Sequence, residues 1–416
     1  MTFELFPTTE AGRQFVALAE QHATDFATRA EKHDREGSFP FENFEALDKS
    51  GFMAAALPAE FGGMGVESIY DIMVGISRLA RGDASTAIAA NMHITGGSAI
   101  VRHMRRCETN GDDKTAALIR ALLQQVAKNK LVMCFPTTEA GTDLNSPMME
   151  AVPTDGGYIL NGRKIFGTIS PAAHLFFPIV RVPSGPEQFL TATALVARDV
   201  PGVEVKDNWD SLGMRASGSN DVIFTNCFIP EERLFAKRES YGKIGKGNTD
   251  FALIGYLPLI AAFVGIAETA RDFAVNVVQT QRKGRNLKRL CDRVPIQHFI
   301  AEIEIELAAS RAITERVGCA AAAFLRKYAT EDAPTDEANL LNKEVQCMKY
   351  VVNRKAIDIV DKAMIVCGGA AYMSKHPLAR LYRDVRAGPF MQPFAPYEAF
   401  EYIGKIALGL DPQIDR

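Results

Sequence analysis

NGRKIFGTIS, from Asn161 to Ser170, is the segment that decides how the middle of the chain is interpreted. Asn-Gly pairs favour two-residue turns, so Asn161 and Gly162 predict a tight β-hairpin between YIL and KIF. Because side chains alternate along a strand, the returning strand would place Phe166 and Thr168 on one face. A ring beside a hydroxyl suits a planar heteroaromatic ligand, which packs on the ring and forms hydrogen bonds along its edge. Taken alone, the segment is also explained by an ordinary hairpin with a buried Phe.

Helical patterns flank this segment on both sides. Before residue 130 apolar positions recur at three- and four-residue spacing, and the same spacing returns over longer stretches at 251–283, 296–328 and 336–366. Between them, short β-branched and aromatic runs are separated by Gly, Pro, Asn and Asp. The sequence therefore predicts an α+β protein with three domains. These are a helical domain at 1–130, a β domain at 131–240 and a second helical domain at 241–416.

Composition and charge exclude several function classes. The 416 residues carry a net charge of -3, which gives no electrostatic reason to expect nucleic acid as a partner. The seven cysteines are scattered singly, without the paired spacing of a disulfide framework or a zinc site, so no metal is expected. The N-terminus lacks the basic and apolar regions of a secretory signal, and the cytoplasm is the expected location.

One uncharged run, from Phe251 to Ala267, is apolar enough to suggest a membrane span. It is shorter than the roughly 20 residues that a bilayer needs, and it contains Pro258. An amphipathic pattern follows it directly. The sequence therefore predicts a helix buried in a bundle and no membrane span.

Four segments are informative as an ordered set: LPAEFGGMG at 57–65, FPTTEAGTD at 135–143, NGRKIFGT at 161–168 and LGMRASGSNDVIFTNCFIP at 212–230. Together with the helical, β, helical order, they resemble the acyl-CoA dehydrogenase superfamily, whose corresponding signatures read PxxxGGxG, TEPGAGSD, NGxKxWITN and LGxRxSxTxxVxFxxVxVP. The resemblance covers nearly the whole chain. It implies an N-terminal helical domain, a central β-barrel-like domain, a C-terminal four-helix bundle and a bound FAD.

The resemblance also implies which residues of the β domain hold the flavin. They are Phe135, Thr137 and Thr138 at the pyrimidine edge, Thr142 at the phosphates, Phe166 beside the ring and Thr168 at N5. Short hydroxyl side chains at strand ends suit this role independently, because they can donate to flavin carbonyl and ring nitrogen atoms.

Two further segments match family contacts that cross a subunit boundary. Arg282, near the predicted end of the first long C-terminal helix, matches an Arg that reaches the flavin pyrophosphate, and guanidinium groups bind phosphate bidentately. A solvated basic helix end explains Arg282 as well. Gly368 and Gly369 in IVCGGAAY match a flavin-contacting segment that reads QxxGGxGY. These matches imply a homo-oligomer, either a dimer or a tetramer.

The catalytic carboxylate of the family has no match in this chain. Counting along RDVRAGPFMQPF places Gln392 where the family has the Glu that removes a proton from the substrate carbon. An amide is not basic enough for that role near neutral pH. IGYLPLI at 254–260, where some family members carry the base instead, holds no carboxylate. Asp384, Glu398 and Glu401 are nearby in the sequence, and each is also explained by a salt bridge or by solvent exposure.

This combination leaves three functions open. The expected one is a flavin-dependent dehydrogenase that acts on an acyl thioester with a non-standard base and passes electrons to an acceptor. The alternative is a two-component monooxygenase or N-oxygenase on the same fold, which receives reduced flavin, FAD or FMN, from a flavin reductase and uses O₂ on a small molecule. The third is a non-catalytic scaffold that binds acyl groups or flavin.

Overall fold

The computed structural model describes residues 3–142, 146–185, 188–239, 249–283, 288–391 and 394–413. These residues form an N-terminal helical domain, a central curled β-sheet domain and a C-terminal helical domain, which confirms the predicted fold class. The domain boundaries near residues 130 and 240 stay predictions.

The N-terminal domain is helical throughout. Its helices are α1 (Glu10–Phe26), α2 (Ala30–Glu36), α3 (Phe41–Lys49), α4 (Ile69–Ala80), α5 (Ala84–Thr109) and α6 (Asp113–Asn129). The side chains of Thr9, Ser68, Asp83 and Asp112 cap α1, α4, α5 and α6 by accepting a backbone N–H of the first turn. Helix α4 is buried along its whole length, so it forms the centre of this domain.

The central domain consists of short strands around one long antiparallel pair. Its strands are β1 (Met133–Cys134), β2 (Glu150–Thr154), β3 (Gly157–Gly167), β4 (Leu175–Phe176), β5 (Ile179–Gly185), β6 (Gln188–Ala194), β7 (Val196–Ala197), β8 (Val203–Val205), β9 (Asn220–Pro230) and β10 (Leu234–Glu239). The larger sheet has the order β10-β6-β5-β2-β3-β9-β8, and the smaller sheet has the order β1-β4-β7. The long pair, β3 with β9, lies towards one end of the larger sheet.

Long helices return after the β domain, with a short ribbon between the first two. The elements are α7 (Thr249–Thr280), β11 (Arg282–Lys283), β12 (Lys288–Arg289), α8 (Val294–Lys327), α9 (Thr335–Cys367), α10 (Pro377–Val385) and α11 (Pro396–Ala407). The part of α7 from Leu253 to Thr280 is long and apolar enough to cross a membrane, but 78% of its most apolar window is buried inside the protein. The prediction of a buried helix is therefore confirmed.

The turn of the β-hairpin lies earlier in the chain than the sequence predicts. Strands β2 and β3 are joined by Asp155 and Gly156, and Gly156 has the positive φ of 74° that such turns require. Asn161 and Gly162 lie inside β3, at an irregularity in its pairing with β9. The Asn161 side chain accepts a hydrogen bond from the Asn226 N–H at 2.8 Å, which holds this part of β3 against β9. The predicted Asn-Gly turn is therefore wrong.

A buried carboxylate joins the two helical domains. Glu268 on α7 accepts hydrogen bonds from Arg81 Nε at 2.7 Å and from Arg311 Nε at 2.8 Å, and Arg78 Nη1 lies 3.5 Å from it. Arg78 belongs to α4, Arg81 directly follows α4, and Arg311 belongs to α8. Because buried charges are stable only when they are paired, this cluster fixes α4, α7 and α8 relative to one another.

A second buried ion pair links strand β3 to the loop that follows β1. Lys164 Nζ lies 2.9 Å from Glu139 Oε1, and Glu139 also accepts the Met149 N–H at 2.8 Å. Burial lowers the pKa of Lys164, and the charge of Glu139 opposes that fall. This loop carries the predicted flavin contacts from Phe135 to Thr142, so the ion pair determines where they lie.

We expect the substitution Lys164→Met to lower the free energy of unfolding by about 3 to 5 kcal/mol, because the buried Glu139 carboxylate loses its cation. The matched control is Lys206→Met. Lys206 is 42% exposed and pairs with Glu204 at 2.5 Å on the surface, where such pairs contribute less than about 1 kcal/mol. Urea unfolding of both variants, followed by circular dichroism, measures the difference. Equal shifts of the two urea midpoints would contradict the role of Lys164.

Candidate flavin site

The structure brings together two segments that the resemblance assigns to the flavin. The Ile165 N–H donates to the Thr138 carbonyl at 2.9 Å, and the Cys134 thiol donates to the Thr168 carbonyl at 3.3 Å. Thr137, Thr138 and Thr168 are all half-buried. Their hydroxyl and backbone groups therefore lie on neighbouring stretches of chain, in reach of one ligand.

Phe135 is tightly packed in this group. Its ring stacks on Phe177 with the centroids 4.7 Å apart. It also approaches α5 so closely that a Cβ built on Gly96 would lie 1.8 Å from the ring atom Cε2. A Cβ on the adjacent Gly97 would lie 3.3 Å from its nearest neighbour, the methyl carbon Cδ2 of Leu57. The position of Phe135 thus depends on the missing side chain at Gly96.

Phe166 departs from the strand geometry that the sequence predicts. Its φ of 55° is left-handed and the pairing with β9 shifts between Lys164 and Gly167, so the simple alternation expected for Phe166 and Thr168 is wrong. The ring is 55% exposed rather than buried, and its centroid is 5.9 Å from that of Trp209 in an edge-on contact. Backbone strain of this kind is typical of ligand sites. The exposed ring leaves a surface on which a planar ligand can stack.

A chain of three hydroxyls extends from Thr168 into the protein. Thr168 Oγ1 lies 2.8 Å from Ser219 Oγ, and Ser219 Oγ lies 2.7 Å from Ser217 Oγ. Both serines are buried. Sequence reasoning missed them as site residues, although they stand in the segment at 212–230, where the family signature has a Ser and a Thr. The signal that could have found them is this pair of alternate hydroxyl residues in a segment shared with the family.

The segment that carries these serines is fixed by acidic residues of the two helical domains. The Asp384 carboxylate, on α10, accepts the Met214 N–H at 2.7 Å, and the Asp34 carbonyl, on α2, accepts Arg215 Nε at 2.8 Å. Burial raises the pKa of Asp384 to about 6, and Arg380, at 3.6 Å, opposes the rise. Asp384 therefore has the structural role that its sequence context suggested.

The other flavin candidates have different surroundings. The Thr142 hydroxyl donates to the Ser146 carbonyl, within its own loop. Helix α7 ends at Thr280, so Arg282 lies in β11 and its predicted place in the helix is wrong. Its side chain is exposed. Gly368 and Gly369 are exposed at the C-terminal end of α9, where Gly368 has a φ of 75°. Exposure is what contacts with a second subunit require, and those contacts stay a prediction.

Gln392 lies outside the described residues, and the chain on both sides of it is attached to Lys349. This buried lysine of α9 donates to the Met391 carbonyl and to the Phe394 carbonyl, the latter at 2.6 Å. Burial lowers the pKa of Lys349 to about 8. Sequence reasoning missed Lys349 as a residue that supports the site. The signal that could have found it is its spacing, because a lysine four residues after the apolar Val345 lies on the inward face of a helix.

The remaining acidic candidates form local contacts. Glu398 accepts the Ala395 N–H at 2.8 Å at the start of α11, and Glu401 pairs with Lys405 at 2.5 Å on the same helix. The Glu401 contact matches the salt-bridge alternative that the sequence left open, whereas Glu398 caps α11. Neither contact gives these carboxylates a link to the Thr168 group.

The described residues fit a flavin. Phe166 offers an exposed aromatic surface, and Thr168 follows it by two residues. Thr138 pairs with Ile165, the residue before Phe166, and Thr137 directly precedes Thr138. A planar ring with a polar edge needs this combination of stacking surface and hydrogen-bonding groups. The arrangement can bind such a ring, orient it and donate hydrogen bonds to its edge.

Comparisons with known proteins give one consistent result. The chain is 34% identical to L-evernosamine nitrososynthase of a Micromonospora species, with 98% of this chain and 93% of the relative covered. It is 32% identical to the amino sugar nitrososynthase DnmZ of Streptomyces peucetius, with 97% and 95% covered. The solved structure of KijD3 in complex with FMN and dTDP-3-amino-2,3,6-trideoxy-4-keto-3-methyl-D-glucose matches with a TM-score of 0.87 at 32% identity, over 100% of this chain and 98% of that one.

Family models match the chain in three consecutive parts. Residues 9–105 match the acyl-CoA dehydrogenase N-terminal domain, residues 134–227 its middle domain and residues 258–392 its C-terminal domain. With all three domains present in order over most of its length, the chain belongs to the acyl-CoA dehydrogenase family.

Proposed function

We propose that the protein is a flavin-dependent N-oxygenase that oxidises the amino group of a nucleotide-linked amino sugar. It receives reduced FMN or FAD from a separate flavin reductase and uses O₂. This function is the alternative that the sequence left open, and it takes the place of acyl-thioester dehydrogenation, which the sequence favoured.

The observation that carries the proposal is the amide at the base position of the family. Removal of a proton from carbon needs a carboxylate there, and Gln392 supplies none. Oxidation of an amine has a different requirement, because the nitrogen must keep its lone pair. A nearby carboxylate would stabilise the protonated ammonium, whereas a neutral amide does not. Gln392 therefore suits an amine better than an acyl thioester.

The relatives support the same chemistry. Two of them carry the name nitrososynthase, and the similarity extends over nearly their full length. KijD3 was solved with FMN and a dTDP-linked amino sugar. We transfer to this chain the class of substrate, an amino sugar on a nucleoside diphosphate, and not an individual sugar.

The chain's own residues bind and orient the cofactor in this proposal. Phe166 provides the stacking surface and Trp209 holds its ring edge-on, while Thr138 and Thr168 provide hydrogen-bonding groups for the edge of the flavin. Lys349 keeps the backbone on both sides of Gln392 in place. When bound, reduced flavin would supply two electrons and two protons to O₂, so that one oxygen atom could pass to the amine nitrogen and the other could leave as water.

The proposed working unit is a homo-oligomer in the cytoplasm. Arg282, Gly368 and Gly369 are exposed in a single chain, and the resemblance assigns them to the flavin of a neighbouring subunit. A dimer satisfies these contacts, and a tetramer repeats them.

We expect the protein to convert a dTDP-linked 3-amino sugar when FMN, a flavin reductase, NADH and O₂ are supplied together. The product gains oxygen on nitrogen, first as a hydroxylamine and then as a nitroso group. Mass spectrometry with isotopically labelled O₂ measures the gain, because the label must appear in the product. The matched control is the same sugar nucleotide with a hydroxyl in place of the amine, which must remain unchanged.

The competing function is tested on the same preparation without O₂. Addition of a panel of acyl-CoA thioesters to the protein with oxidised flavin must leave the flavin absorbance unchanged. Bleaching of that absorbance by any thioester, combined with no oxygen transfer to the amino sugar, would overturn the proposal.

We expect Gly96→Ala to weaken FMN binding by about tenfold, because the new Cβ displaces Phe135, and overpacking of this kind costs about 1 to 3 kcal/mol. The control is Gly97→Ala, whose new Cβ would lie 3.3 Å from Leu57 Cδ2 and 3.5 Å from Met133 Cε, and which gains the same helix propensity. Titration of FMN fluorescence gives both affinities. Equal affinities in the two variants would show that the position of Phe135 does not matter for binding.

A further inference from the structure

We propose that Ser219 is a positioning residue that fixes Thr168 as a hydrogen-bond donor towards the flavin. The inference rests on the proposed flavin site and goes beyond it, because Ser219 itself makes no contact assigned to the cofactor. It acts through the Thr168 hydroxyl, which lies 2.8 Å from the Ser219 hydroxyl.

Burial determines the direction of the hydroxyl chain. Ser217 is fully buried, and within the described residues its hydroxyl has one hydrogen-bond partner, Ser219 at 2.7 Å. If Ser217 accepted from Ser219, its own proton would be buried without an acceptor, which is unfavourable. Ser217 therefore donates to Ser219. The Ser219 proton is then directed to Thr168, and Thr168 receives it as an acceptor.

Thr168 is left with its own proton to donate. Among the residues that the structure describes, the acceptor for this proton is the Phe166 carbonyl, 3.5 Å away, at the limit of a hydrogen bond. Thr168 is half-buried, whereas both serines are buried, so the outer end of the chain is the end that a ligand can reach. A hydrogen-bond acceptor at the flavin edge matches this proton better than the distant carbonyl does.

The backbone holds the three hydroxyls in register. Ile169, directly after Thr168, has a φ of 70°, which is rare for a β-branched residue. Its N–H donates to the Ser217 carbonyl at 3.1 Å. Ser217 thus contacts the strained turn with its carbonyl and the hydroxyl chain with its side chain. This double attachment prevents the serines from drifting away from Thr168.

The chemical consequence concerns the oxidation state of the flavin. The N5 atom of oxidised flavin has a lone pair and accepts a hydrogen bond, whereas N5 of reduced flavin carries a hydrogen. The resemblance places the Thr168 hydroxyl at N5. If that hydroxyl is fixed as a donor, the site therefore binds the oxidised cofactor in preference to the reduced one. Loss of Ser219 frees the Thr168 hydroxyl to rotate, and this preference is lost.

The experiment measures FMN affinity in both oxidation states. We expect Ser219→Ala to raise the Kd of oxidised FMN about fivefold, equivalent to about 1 kcal/mol, and to change the Kd of reduced FMN less than about twofold. Fluorescence titration gives the first value and anaerobic equilibrium dialysis gives the second. Ser219→Thr keeps the hydroxyl and is expected to restore the affinity for oxidised FMN.

Two comparisons separate positioning from a general structural effect. Ser170→Ala removes a buried hydroxyl that donates, at 3.1 Å, to the carbonyl of Gly218, the residue between Ser217 and Ser219. This hydroxyl is outside the chain of three, so we expect no selective loss of affinity for oxidised FMN. Thr168→Val removes the group through which Ser219 acts. In the double variant Thr168→Val with Ser219→Ala, the second substitution is expected to add nothing.

The outcomes that overturn the inference are distinct from failure of the proposed function. An unchanged Kd for oxidised FMN in Ser219→Ala, equal losses in both oxidation states, or additive losses in the double variant each exclude the positioning role. In those cases FMN binding and N-oxygenation by the unmodified protein stand. Absence of FMN binding by the unmodified protein overturns both.

Discussion

The candidate site depends on one buried hydrogen bond, from the Met214 N–H to the Asp384 carboxylate. Met214 has a left-handed φ of 53°, which is costly for its residue type, so the loop needs a partner from outside to hold it. The Met214 carbonyl in turn accepts the Trp209 indole N–H and the Ser217 N–H, both at 3.0 Å. Trp209 orients the exposed ring of Phe166, and Ser217 begins the hydroxyl chain. Both features of the candidate flavin site therefore depend on a carboxylate of the C-terminal domain.

The same C-terminal stretch retains a structural acid and lacks a catalytic one. Asp384 is present and buried, while Gln392 stands where the family's base is expected. The fold can persist when the base position changes, because the packing of the loop depends on Asp384. The family's proton abstraction depends instead on the position that Gln392 occupies. The cofactor carries the redox chemistry, and the protein decides which substrate atom is presented to it. Under the proposed function, an amide in place of a carboxylate shifts that choice from an acidic carbon to a nucleophilic nitrogen.

Long-range order was largely predictable from the sequence, and local geometry was not. The predicted helix at 296–328 is found at Val294–Lys327, because periodic apolar positions define a long helix over many turns. The Asn-Gly pair misled because Asn161 uses its side chain to hold the Asn226 N–H, a contact with a strand far along the chain. The left-handed φ of Phe166 and the partners of Ser219 likewise depend on residues distant in sequence. Pattern reasoning has no access to such contacts.

Glu268 has a consequence for how this architecture can be divided. Its carboxylate is matched by Arg78 and Arg81 from the N-terminal domain and by Arg311 from its own domain. Separation of the helical domains would leave the Glu268 carboxylate with Arg311 on one piece. On the other piece, Arg78 and Arg81 would lose the buried Glu268 and keep the partly exposed Glu4 and Glu20. The domains are therefore not exchangeable modules. A chimera that swaps one helical domain must carry its share of this charge cluster with it.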